Sequence, residues 1–346
     1  MDRKEVEFLS ALVEKISPSG AEEEAVNLWR ERTEKFCSRV SIDIHGNAIG
    51  VLNEGKSPKV MLAGHIDEIG FMVKYINKGG FIYFSPIGGV DYHLLPGQRV
   101  RIKTDRGVIL GVIGKKPIHL LEDSERKKIG KIEEFWVDIG AKDEKEAKEK
   151  VKVGDVMVFD VGVKALNPHC IVGRGLDDKA GAFVVSEVLR LLYESDKEFA
   201  PSVYGVATVQ EEIGLRGART SAYGISPDIG IVIEVAFATD HPGMDKRKTG
   251  EIRVGAGPVI AKGPNINPNI FRKLVTVVEE EKIPYQVEAI PQATGTDANV
   301  IQLTKAGVPT GLVSVPLRYM HTPVEMLSIV DLENTIQLVT KFILSL

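Results

Sequence analysis

The chain has 346 residues, a formal net charge of −4, 43 % hydrophobic and 27 % charged residues, which predicts an ordinary globular protein of about two domains. The slight negative charge gives no reason to expect a nucleic-acid or membrane partner, which would call for a basic face. No apolar run approaches the length that crosses a bilayer, and the charged start MDRKEVEF leads us to expect no signal peptide. Two cysteines, Cys37 and Cys170, are too few for a disulfide framework and suit a reducing cytoplasm. Cys170 lies in NPHC, but no second Cys/His cluster sits beside it to complete a zinc site.

The first segment, KEVEFLSALVEKISPSGAEEEAVNLWRERTEKF, has apolar residues at helical spacing on both sides of SPSG, predicting two helices. Short strands follow: VSIDI, AIGVLN and PKVMLAGHIDEIG. The VMLA run is apolar at every position, as in a strand covered on both faces. From about Phe71 to Val163 nearly every segment is a short strand bounded by glycine, predicting a small β-barrel-like module. Within it, 119–134 (HLLEDSERKKIGKIEE) is charged and aperiodic and is expected to be a mobile loop. AKDEKEAKEKVK reads as a solvated helix laced with i,i+4 pairs.

After Gly173 strands and helices alternate. DDKAGAFVVSEVLRLLYES reads as an amphipathic helix, SVYGVATVQEE and DIGIVIEVAFA as strands, and NPNIFRKLVTVVEEEKI as a helix. YQVEAIP is a strand, DANVIQLTKAG a helix, GLVSVPL a strand and DLENTIQLVTKFILSL a closing helix. This alternation predicts an α/β sandwich with a parallel or mixed sheet. With the similar N-terminal piece it gives one discontinuous α/β domain, 1–70 and 165–346, holding an inserted β-rich domain, 71–164.

Ligands of open α/β folds gather at the carboxyl ends of strands. There the sequence places His65, Asp67 and Glu68; Asp177 and Asp178; Glu211 and Glu212; Glu234; and His321. Singly, each has a plain reading: an interior histidine, a helix cap for at least one of Asp177 and Asp178, a solvated strand end, a turn. Glu234 is harder to dismiss, because an unpaired carboxylate inside an apolar strand is strongly disfavoured. Together, so many carboxylates would repel one another and take up protons, which divalent cations avert. Imidazole with carboxylate suits zinc or cobalt. One zinc needs three or four ligands and this inventory is about twice that, pointing to two cations sharing a bridging carboxylate.

AGHIDEIG, GRGLDDKAGAFV, VQEEIGLRGA and MHTPVEM, in that order, resemble the signature stretches of the dinuclear-metal TET aminopeptidases, grouped with glutamyl and deblocking aminopeptidases. The resemblance spans essentially the whole chain. It implies an α/β/α peptidase sandwich of the zinc-aminopeptidase type and two divalent ions, zinc or cobalt. It further implies that His65 binds the first ion, Asp177 bridges, Glu212 and His321 complete the second, Asp67 orients His65, and Glu211 is the general base. The remaining first-ion ligand is usually an aspartate in this family. Here the position reads Glu234, one methylene longer, with Asp240 as the fallback.

The resemblance also implies peptide substrates, an insert that mediates dimerisation, and dimers that assemble into a homododecamer with the 119–134 loop facing its openings or interior. The main rival is a dimetal N-acyl deacylase or carboxypeptidase-like amidase; QATGTDANVIQL and HTPVEM fit the aminopeptidase pattern better. Some relatives are labelled glucanases, but glycoside hydrolysis is expected to use two carboxylates without metals. A non-catalytic assembly protein is expected to have lost ligands, and none is plainly lost. The basic MDKRKTG either favours acidic substrate side chains or is an exposed turn, the reading adopted here.

Overall fold

The computed structural model of the chain describes all residues except 2, 124–129 and 196. Among the described residues an eleven-stranded mixed sheet forms the larger unit. At its centre Ser202–Thr208, Lys59–His65, Ile229–Phe237 and Thr310–Arg318 run parallel, side by side in that order. The continuous VMLA run has the predicted cause. Val60 and Leu62 pack into one apolar cluster and Met61 and Ala63 into another, so the strand is covered on both faces.

Helices Leu176–Glu194 and Ile329–Leu344 cover one face, while Arg216–Ile225 lies on the other with Ala218 and Ala222 against Val206. The chain is thus an α/β/α sandwich. The first of these helices departs from the expected amphipathic pattern. Every residue from Leu176 to Leu189 is buried, because helices Arg3–Glu14, Glu23–Thr33 and Ile329–Leu344 pack against this helix, with Arg32 and Glu5 meeting Glu187 and Arg190 on its polar side. DANVIQLTKAG is also less helical than expected: only Ala298–Ile301 forms a helix.

The strands Gly70–Ile76, Ile82–Ile87, Trp136–Asp138, Gly107–Gly114, Arg99–Thr104 and Val156–Phe159 close into an antiparallel barrel with a core of its own. Phe71 anchors that core edge-on to Phe84 and Phe159, with ring centroids 5.2 and 5.4 Å away. The charged run AKDEKEAKEKVK holds a helix, Glu144–Lys150, with Glu144–Lys148 at 2.6 Å and Glu146–Lys150 at 2.8 Å. Of the expected 119–134 loop, Ile118–Leu120 and Ile132–Glu134 form short 3-10 turns, and its centre, 124–129, lies outside the described residues.

Candidate active site

The parallel strands end on the residues of interest, so their carboxyl edge is the place to look for chemistry. His65 closes the strand Lys59–His65 and is 2 % exposed. The helix beginning at Leu176 approaches this strand closely because both carry glycine at the crossing. A Cβ on Gly64 would stand 2.5 Å from the carbonyl carbon of Gly181. That approach sets Asp177 against His65, with Oδ1 3.1 Å from Nε2. The other oxygen of Asp177 lies 3.3 Å from Nε2 of His321. One carboxylate therefore spans two histidines from opposite ends of the sequence.

Glu211 and Glu212 reach the same cleft because the strand Ser202–Thr208 has already ended. Gln210, at φ 56°, turns the backbone, so the alternation of side chains along a strand no longer applies. Glu211 Oε2 lies 3.9 Å from His65 Nε2, and Glu212 Oε1 lies 3.3 Å from His321 Nε2. Glu234 extends from the middle of its strand to 3.5 Å from His65 Nε2. Asp178 sits beside them in a double role: its Oδ1 accepts the Gly181 N–H at 2.9 Å, as a cap, and its Oδ2 accepts the His65 N–H at 3.2 Å.

Asp67 stands behind this ring. His65 Nδ1 is 3.1 Å from its backbone oxygen and 3.5 Å from Oδ1. Its carboxylate also accepts the N–H groups of Glu211 at 3.0 Å and Glu212 at 3.2 Å, and the Ser19 hydroxyl at 2.6 Å. Two inventory residues do not join. Glu68 turns into a buried ion pair with Arg174 and with Lys179, whose Nζ is 2.6 Å away. Asp240 is held by Arg318 at 2.7 Å, outside the ring.

Two buried acids escape the sequence argument. Glu325 accepts the His321 N–H at 2.9 Å and the Asp177 N–H at 3.1 Å. Asp297 accepts the Thr208 hydroxyl at 2.6 Å with Oδ2, while its Oδ1 is buried without a partner. Their only sequence signal is position within MHTPVEM and GTDANV.

Without cations the ring holds protons. Burial, reinforced by Glu234 and Asp297, pushes Glu211 up to about 10, and burial raises Glu234 to about 7 and Asp297 to about 6. Burial opposes charge on His321, but Asp177 and Glu212 outweigh it and bring it to about 11; His65 is raised in the same way, by Glu234 first. Against the effect of burial, the two histidines hold Asp177 below the usual carboxylate range.

These residues suit divalent cations. Ligating atoms of His65, Asp178 and Glu234 lie within 4.8 Å of one another, as do those of His65, Asp177 and Glu212. Glu212 Oε1 is buried with no well-formed hydrogen bond, which leaves a lone pair for a cation.

Residues 46–338 match the sequence profile of the M42 glutamyl aminopeptidases. The chain belongs to the M42 peptidase family. This M42 chain is 38 % identical over 336 residues to the lysyl aminopeptidase of Pyrococcus furiosus, covering 96 % of this chain and 94 % of that one. It is similar in structure to a TET aminopeptidase from the Thaumarchaeota archaeon SCGC AB-539-E09, with TM-score 0.95, 36 % identity, and 99 % and 96 % of the two chains covered. The TET1 peptidase of Pyrococcus horikoshii, described as assembling into a tetrahedron or a large octahedral shell, gives TM-score 0.87 at 30 % identity, over 99 % and 100 % of the chains.

The M42 ring opens into a cavity of about 540 Å³. A larger cavity, about 680 Å³, lies beside Arg39, His45, Lys59 and Tyr204, but no grouping of ligating side chains stands there among the described residues.

Proposed function

We propose that this M42 peptidase is an aminopeptidase that hydrolyses the N-terminal residue from peptides. In this reading His65, Asp177, Glu212, Glu234 and His321 hold two divalent cations, zinc or cobalt, and Glu211 is the general base. The observation that carries it is Asp177, whose two oxygens face two different histidines, each with a further carboxylate beside it. Divalent cations supply Lewis acidity for amide hydrolysis at such a site.

The chain's own residues supply the rest. Glu211 is fixed through its backbone by Asp67, while among the described residues its carboxylate pairs only with His65, at 3.9 Å. It is therefore placed to take a proton from the attacking water and pass it to the leaving amine. Asp67 orients His65 from behind, and Asp178 tethers the His65 backbone.

The likeness to a peptidase that forms closed shells supports a homo-oligomer, and we extend it to a homododecamer built from dimers. The dimerisation domain is 71–164, whose strand Gly107–Gly114 turns Val108, Leu110 and Val112 outward. No helix among the described residues is long and apolar enough to cross a membrane, and both cysteines are free, which suits a cytoplasmic peptidase.

A chelator is expected to abolish cleavage of free-amine peptides, with zinc or cobalt restoring it and N-acetylated peptides resisting throughout. Cleavage of N-acetylated substrates would point instead to an N-acyl deacylase or carboxypeptidase-like amidase on this scaffold.

A further inference from the structure

The cavity beside the ring also offers the space for the side chain of the residue being removed. Away from the proposed ligands its walls include Leu215, Val235, Phe237 and Met320, with the uncharged polar Thr294 and Asn299. Among the described residues that line it there is no lysine or arginine, and every carboxylate is Asp177, Glu211, Glu212 or Glu234. The charges of Arg318, Lys246, Arg247 and Lys248 do not line it. Arg318 is paired with Asp240 at 2.7 Å, and in the basic segment Lys246 pairs with Glu251 at 2.6 Å and Arg247 with Asp245 at 2.9 Å.

We propose that this pocket selects uncharged N-terminal residues, apolar ones such as leucine and methionine foremost, and discriminates against glutamyl and lysyl termini. The family profile carries a glutamyl name and a relative a lysyl one, and this selectivity sets the chain apart from both. It rests on the aminopeptidase reading above. A glutamyl carboxylate entering the pocket loses water and finds no cation apart from those of the centre. A lysyl ammonium meets only carboxylates already engaged as ligands or base. An apolar side chain instead buries its surface against Phe237, Met320, Leu215 and Val235.

The test is a panel of leucyl, methionyl, glutamyl and lysyl p-nitroanilides, with N-acetyl-leucyl p-nitroanilide as control, on the cobalt-loaded full-length protein. The expected kcat/KM for leucyl and methionyl exceeds that for glutamyl and lysyl by about tenfold or more. Glutamyl or lysyl equal to or faster than leucyl overturns the proposal and leaves the aminopeptidase reading standing. Hydrolysis of none of the free-amine substrates overturns both.

An activity-independent arm uses products: free methionine is expected to protect against thermal unfolding more than glutamate or lysine, and the reverse order contradicts the proposal. Asn299→Lys is expected to raise the glutamyl-to-leucyl ratio about tenfold; an unchanged ratio puts the side-chain subsite elsewhere and overturns the assignment.

Discussion

Asp67 Oδ1 accepts the backbone N–H of Glu211 at 3.0 Å. The residue two places after His65 therefore does more than orient that histidine. It fixes the turn that presents Glu211 and Glu212, and the neighbouring Glu212 N–H, at 3.2 Å, goes to its other oxygen. One residue ties His65 to the proposed base and to Glu212 in the proposed metal centre.

Asp67→Ala is accordingly expected to lower kcat by about 10- to 100-fold with a smaller change in KM. Steady-state kinetics at matched metal content checks this. An unchanged kcat would mean that the Glu211 turn holds its place without Asp67.

Glu325 plays the matching part on the opposite side, receiving the N–H groups of Asp177 and His321. Glu325→Ala leaves the buried Asp177 N–H unpaired, at about 1–3 kcal/mol, and removes the acceptor of the half-buried His321 N–H. It is expected to lower thermal stability and, in particular, to weaken binding of the second of two ions. Native mass spectrometry across a graded chelator series reads this directly. Two ions held as tightly as in the parent protein would reduce Glu325 to a stabilising residue.

Glu234 and Asp240 are separated by the same kind of measurement. Glu234, 3.5 Å from His65 Nε2, is the expected ligand, whereas Asp240 is engaged by Arg318. Glu234→Ala should lose bound metal and Asp240→Ala should keep it. Normal metal content in the first variant, or loss in the second, would exchange the two assignments.

What the sequence made legible lies at strand ends. His65, Asp177, Glu211, Glu212 and His321 each follow an apolar run, and Glu234 betrays itself by being charged inside one. What it hid are contacts created only by packing. Nothing local in HTPVEM tells that Glu325 will meet Asp177, 148 residues away. Nor does VQEE announce that Gln210 at φ 56° ends strand alternation just before the glutamates. The helix after Gly175 reads as amphipathic because Glu187 and Arg190 mark a polar face. In the fold that face is covered, and Glu187 is neutralised by Arg32 and Arg190 instead of by water. The alternating pattern gives the α/β architecture directly, since it depends on short-range periodicity, and the apolar core then follows from it.

The metal-free protein has a signed dependence on pH. Glu211, Glu234, Asp297 and His321 all bind protons more tightly folded than unfolded. Such groups stabilise the fold at low pH and cease to do so as pH rises through their folded values. Asp177 is shifted the other way, and its effect is confined to below about pH 4. The melting temperature of the metal-free protein is thus expected to fall from about pH 6 to about pH 10, and zinc or cobalt should remove most of that slope. A metal-free melting temperature that rises over this interval would contradict the proton-loaded ring.

The proposed centre is tested most directly by Glu211→Gln, which keeps the shape of the side chain and removes its capacity to take a proton. The protein should retain its bound ions and its assembly, measured by elemental analysis and light scattering. Its turnover of a free-amine aminoacyl substrate should fall by about 10²- to 10⁴-fold. Turnover equal to that of the parent at equal metal content would contradict Glu211 as the base, and with it the mechanism proposed for this centre.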